Sequence, residues 1–175
     1  MTIDKNRCFQ PINIAVLTVS DTRTLQDDRS GRILVECLES DGHKLADRTI
    51  VKDDTDAIVA RLTNWVNDPC IDVVIATGGT GVTGRDVTPE AFEKVCEKDI
   101  PGFGELFRWI SYKKIGSSTI QSRAVAGVAM GTYLFALPGS ASACKEGWNE
   151  ILHYQLDIRF RPCNFVELIP RLREK

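Results

Sequence analysis

The stretch VVIATGGTGVTGRDVTPE, residues 73–90, runs an apolar, β-branched segment into a glycine-rich turn. An Arg-Asp pair follows, then a Thr-Pro-Glu of the kind that opens a helix. An apolar run without polar alternation reads as a strand covered on both faces, as in parallel sheets. Outward from it, NIAVLTVS (13–20), KLADRTIV (44–51) and TYLFAL (132–137) read as further strands. Between them lie segments with helical spacing. SGRILVECLESDG (30–42) places Ile33, Leu34, Cys37 and Leu38 on one face, with Ser30 as expected N-cap and Gly42 as the stop. DAIVARLTNWVND (56–68) does the same with Ile58, Val59, Leu62, Trp65 and Val66. PEAFEKVCEKD (89–99) and GFGELFRWISYKKIG (102–116) read as two more helices. AVAGVA (124–129) and TYLFAL read as a hairpin turned at Met130-Gly131, and a last helix is expected over about residues 140–156. The tail RPCNFVELIPRLREK is expected to pack as an extension.

Strands alternating with helices predict an α/β fold, a three-layer α/β/α sandwich. Its sheet is mostly parallel, with one antiparallel strand from the hairpin, and a single domain is expected over residues 1–175.

The bulk numbers exclude several classes. The 175 residues are 43% hydrophobic and 26% charged, enough for a real core, and the formal net charge is −2 with both signs mixed. No basic stripe is visible, so nucleic acid is not expected as a partner. No apolar run approaches the ~20 residues of a membrane span. The beginning MTIDKNRCFQPINIAV offers no cleavable apolar segment, so a cytoplasmic location is expected. The six cysteines are widely spaced without a C-x-x-C, and there are two histidines, which does not assemble a zinc site. Reduced, buried thiols are expected.

In open parallel sheets, ligands sit beyond the carboxyl ends of the strands. Four turns then share one rim: SDTRTLQDDRSG, VKDDTD, TGGTGVTGRD and LPGSAS. TGGTG (77–81) satisfies neither the Walker A pattern nor a dinucleotide fingerprint, because no Gly-Lys-Ser/Thr follows and no helix opens directly. Two readings remain: a tight turn needing positive φ, or an oxyanion nest of Gly78, Gly79, Gly81 and their threonines Thr77 and Thr80. The threonine hydroxyls favour the nest. Asp86 either caps the following helix, whose N-cap would be Thr88, or serves as a ligand carboxylate. Asp53 likewise either complements a helix dipole or binds, with Asp86, a Mg²⁺ shared with substrate phosphates. Pro138, Gly139 and Ser140 form a β–α turn whose helix start can receive an anion. Arg123 can neutralise a phosphate or form a surface ion pair, and Ser118 stands in a hydroxyl-rich segment nearby.

TGGTG-VTG-RD-VTPEA, IPGFGE, SSTIQSRA and LPGS, in that order, resemble the molybdopterin-binding domain family of molybdenum cofactor biosynthesis. The likeness extends from TVSDTR (18–23) to the last helix. It implies a homotrimer, sometimes a homohexamer. It implies other molybdenum cofactor biosynthesis proteins as partners. Its ligand is molybdopterin, a pterin with a dithiolene and a terminal phosphate. Some members join that phosphate to AMP from ATP with Mg²⁺; others bind the pterin without adenylylating it. The family's two key carboxylates match Asp53 in VKDD and Asp86 in the R-D pair. Ser20, the TGGTG residues, Arg85, Ser118, Arg123 and the LPGS residues are the expected binding set. Lys52 stands where Pro is common in relatives, and LPGSAS lacks a further Pro that many carry; neither change removes a functional group. The implied activity is molybdopterin adenylyl transfer, the alternative a non-catalytic binding paralogue or scaffold. An unrelated nucleotide-binding oxidoreductase is disfavoured by the late position of the glycine turn.

Overall fold

In a computed structural model, described over residues 2–174, strands β1 (Thr2–Ile3), β2 (Asn13–Val19), β3 (Lys44–Val51), β4 (Val73–Thr77), β5 (Lys98–Asp99), β6 (Val125–Ala129), β7 (Thr132–Leu137) and β8 (Phe160–Arg161) form two sheets. The larger has the order β3-β2-β4-β7-β6-β5. The four strands β3, β2, β4 and β7 are mutually parallel, and β6 runs antiparallel to both β7 and β5. The hairpin β6–β7 turns at Met130-Gly131, both at positive φ (50° and 85°), the turn whose twist matches its strands.

Helices α1 (Arg29–Ser40), α2 (Thr55–Val66), α3 (Thr88–Val95), α4 (Pro101–Ile115) and α5 (Ala141–Gly147) cover the faces. α5 continues through a π-helical segment, Trp148–Leu152, into the short helix His153–Gln155. Two apolar cores result. One packs α1, α4 and the last helix on the β2–β4–β7 face through Leu34, Phe107, Phe135 and Trp148; the other packs α2 and α3 on the opposite face through Leu17, Ile58, Trp65 and Phe92.

Local chemistry sets the helix ends, and two differ from the expected ones. Asp28, not Ser30, caps α1, accepting from the Gly31 amide at 2.9 Å; a carboxylate there also takes Thr18 Oγ1 (2.7 Å) and Arg48 Nη2 (2.9 Å). Thr88 is the first helical residue of α3, and its hydroxyl donates to Gly78 O (2.8 Å), tying the helix to the glycine turn. Gly42 does stop α1, at φ 89°.

The two-stranded antiparallel sheet β1–β8 was not anticipated. It clamps the two ends of the described chain together. Arg7 and Arg161 converge there on Glu167, and Asn164, 2% exposed, donates to Ile158 O and Phe160 O, both at 3.1 Å. Along α4, Phe103 and Phe107 are buried, whereas Trp109, Tyr112 and Ile115 are more than half exposed. No helix among the described residues is long and apolar enough to cross a membrane.

Candidate active site

Because β2, β3, β4 and β7 are parallel, the turns after Val19, Val51, Thr77 and Leu137 emerge on one rim, as the sequence requires. The turns after Val19, Thr77 and Leu137 open a cleft of about 600 Å³, and Asp53, on the turn after Val51, lies outside its lining. One wall is Thr18–Ser20, Thr77–Gly81, Asp86 and Pro138–Ser140. The other comes from α4, the following 3₁₀ segment and the last helix, through Phe107, Ser111, Lys114, Ser118 and Glu146.

The floor is largely backbone. Gly78 sits at φ 101°, and a Cβ there would lie 2.2 Å from Val19 O, so the turn after β4 can lie flat on β2 only with glycine. Gly139 approaches to where its Cβ would touch Gly78 Cα at 3.2 Å. Gly78 N donates to Leu137 O (3.1 Å) and Thr77 Oγ1 to Pro138 O (3.0 Å), locking the turns after β4 and β7 together. Among the described residues the amides of Gly79 and Thr80 donate to no protein acceptor, which leaves two N–H groups for an anion. Ser140 caps α5, accepting from Ala143 N at 3.2 Å.

The four charged residues singled out in the sequence fall into distinct settings. Asp86 does not cap α3. Its carboxylate accepts from Thr83 N (2.8 Å) and Thr83 Oγ1 (2.7 Å), closing the loop on itself. Burial pushes the Asp86 carboxyl up, but the Thr83 donors outweigh it and hold it below the usual range. Arg85 makes a bidentate pair with Asp21 (Nε to Oδ2 at 3.1 Å, Nη2 to Oδ1 at 2.8 Å), so Asp21 falls below its ordinary pKa. Arg123 stands behind the glycine loop: Nε donates to Gly81 O (2.6 Å), Nη2 to Asp86 O (2.7 Å), and Nη1 pairs with Glu90. In this structure both guanidiniums brace the loop, and neither lines the cleft.

Asp53 differs from all of these. The capping role at this turn belongs to Asp54, which accepts from Ala57 N at 2.9 Å. Asp53 Oδ1 lies against the glycine turn, 3.1 Å from where a Cβ on Gly79 would be. No side-chain donor among the described residues hydrogen-bonds its carboxylate; the Asp21 backbone amide and the more distant Arg85 charge are what favour its anion. Burial first, then the charges of Asp21 and Asp86, push its pKa above the ordinary value. This is a carboxylate short of positive charge. Among the described residues no cluster of three or more His, Cys, Asp or Glu could hold a metal ion by itself.

A family model described as a probable molybdopterin binding domain matches residues 15–157. The chain belongs to this family. Among relatives in the molybdopterin-binding family, molybdenum cofactor biosynthesis protein B of Escherichia coli K12 is 48% identical over 157 residues, covering 90% of this chain and 92% of that one. The protein of the same name from Bacillus subtilis is 44% identical over 155 residues, covering 87% and 91%. A crystal structure of a molybdenum cofactor biosynthesis protein B superposes with a TM-score of 0.86 at 36% identity, over 97% of this chain and 100% of that one. The tungsten cofactor synthesizing protein MoaB of Pyrococcus furiosus superposes at 0.73 with 35% identity, over 82% and 91%.

Sequence reasoning missed Asp21, Glu146, Ser111 and Lys114. Asp21 was legible in TVSDTR as a carboxylate in the first rim turn. Glu146 carried a fainter signal, a charge beside Cys144 and Gly147 on the buried side of the last helix.

Proposed function

We propose that this protein acts in molybdenum cofactor biosynthesis, binding molybdopterin in the rim cleft and joining its terminal phosphate to AMP from ATP. The observation that carries the catalytic part is Asp53. Its carboxylate lies beside the glycine turn, has no side-chain donor among the described residues, and is destabilised as an anion by burial and two neighbouring carboxylates, which outweigh the Asp21 amide and the Arg85 charge. Such a group fits a divalent cation, since a cation would remove the charge imbalance that raises its pKa. Asp53, with Asp86 on the adjoining turn, would hold Mg²⁺. When bound, the metal supplies charge neutralisation to the nucleotide phosphates.

The remaining work belongs to the chain's own groups. The free amides of Gly79 and Thr80, with the Ser118 hydroxyl and the turn at Pro138–Ser140, receive the phosphate-bearing arm of molybdopterin. The Thr83–Asp86 bonds and the Arg123 brace keep the loop in one shape, so the phosphate oxygen meets the α-phosphorus of ATP in line. That oxygen is already anionic, so no strong general base is needed, and pyrophosphate departs. The test is incubation with molybdopterin, ATP and Mg²⁺ and detection of the AMP adduct by mass, with Asp53→Ala alongside. Adduct from the native chain alone supports adenylyl transfer; tight molybdopterin binding without adduct identifies a binding paralogue. We also propose that the exposed face of α4 at Trp109 and Tyr112 packs in a homotrimer, which light scattering measures directly.

A further inference from the structure

The far end of the cleft holds a group that phosphate chemistry does not use. Glu146, on the last helix, is 8% exposed and lines the cleft beside Ser111, Lys114, Phe107 and Ile115. Its Oε2 accepts from Ser111 Oγ at 2.8 Å. Its Oε1 is buried, and among the described residues only the Lys114 ammonium answers it. Lys114 Nζ stands 2.7 Å from Oε1, a contact that raises the lysine pKa, and the lysine side chain is 65% exposed.

A buried carboxylate is costly unless well compensated. Here the compensation comes from a single ammonium on a long, largely exposed stem, which a ligand edge can replace. The site therefore presents a desolvated acceptor behind a displaceable cation, next to two apolar side chains against which a flat ring can lie.

We infer that Glu146 is a specificity-determining residue that accepts hydrogen bonds from the 2-amino and adjacent ring N–H edge of a bound aminopyrimidinone, with Lys114 as its placeholder in the free protein. This rests on the reading of the cleft as a molybdopterin site and names the group that selects the pterin ring. Two donors on one edge match a carboxylate in the bidentate manner of a guanidinium. A ring carrying a carbonyl in place of the amino group would set acceptor against acceptor, and a site built around a hydrogen bond rejects the analogue lacking the donor.

The test titrates the protein with 6-hydroxymethylpterin and with 6-hydroxymethyllumazine, which has oxygen in place of the 2-amino group, following ring fluorescence. Molybdopterin binding is measured in parallel. The native chain should prefer the pterin by at least about tenfold. Glu146→Gln should erase that preference, with folding checked by its thermal transition. Lys114→Ala should raise pterin affinity several-fold and leave lumazine unchanged. A pterin preference that persists in a folded Glu146→Gln chain overturns the inference. So does a native chain that binds molybdopterin but treats both rings alike; the reading of the cleft then stands alone. A native chain that binds none of the three overturns both. If Glu146→Gln does not fold, Lys114→Ala decides: a pterin-selective gain sustains the inference, and equal loss for both rings overturns it, making Lys114 an anion ligand.

Discussion

Two poles of this molecule are rich in charge, and they treat it in opposite ways. At the β1–β8 pole, Arg7 and Arg161 share Glu167, Arg159 clasps Asp157 through its Nη2 at 2.7 Å, and Asn164 spends both ends of its amide on the chain. Every one of these groups is answered from within. At the carboxyl rim of the parallel strands, among the described residues, Asp53 has no side-chain donor, the amides of Gly79 and Thr80 have no acceptor, and Glu146 Oε1 is answered only by the exposed Lys114. Buried polar groups in native proteins are normally satisfied, so a cluster left incomplete is incomplete towards something else. Charge alone marks neither pole; the difference lies in what each leaves unpaired.

The sharpest break of this contrast is Asp53→Ala. Adduct formation should fall by at least roughly 100-fold, as expected when a charge-neutralising metal site is lost. The thermal transition should hold or rise, since an uncompensated carboxylate is removed; a large fall would place Asp53 with the structural pole. Asn164→Ala should do the reverse. Its buried hydrogen bonds to Ile158 O, Phe160 O and Glu167 N would leave unmet partners, costing about 3 kcal/mol in denaturant unfolding with adduct formation per folded molecule unchanged. Arg123→Gln lies between the poles, because Arg123 is answered internally yet braces the site. Molybdopterin affinity measured by calorimetry should drop by about 1–2 kcal/mol, with a similar loss of stability.

The smallest effect concerns pH. His43, 5% exposed, accepts the Ile12 amide at 3.4 Å through Nδ1 and packs on Phe9 and Trp148. Burial lowers its pKa below the ordinary 6.5. The unfolded chain therefore takes up the proton first. Its contribution to stability is whole above pH 6.5 and is lost as pH falls towards the depressed folded value. The slope from this one group cannot exceed about 1.4 kcal/mol per pH unit, and His43→Gln should flatten it in melts between pH 7 and 5.

The parallel strands and their four turns were legible because each strand is an unbroken apolar run and each turn carries its own glycine, proline or carboxylate signal. The glycine loop was legible as a special turn. Its bracing was not, because Arg123 lies far along the chain from Gly81 and Asp86, and only the folded sheet brings them together. Asp28 outcompeted Ser30 as the α1 cap because it could serve Thr18 and Arg48 as well, partners set by tertiary contact. Strands β1 and β8 are two residues each, too short for any periodicity, and pair across nearly the whole chain. Glu146 was hidden for a simpler reason: one acidic residue on a helix looks like solvent-facing charge until its neighbours are known.

The glycine-on-glycine contact between the turns after β4 and β7 carries a consequence for how a ligand settles. A surface made of main chain has no rotamers to freeze. An anion arriving at Gly79 and Thr80 meets donors already fixed by the Gly78–Leu137 and Thr77–Pro138 bonds, so ordering the receptor costs little there. The entropy of binding is then set almost wholly by the guest and by the few side chains on the opposite wall, Lys114 foremost among them.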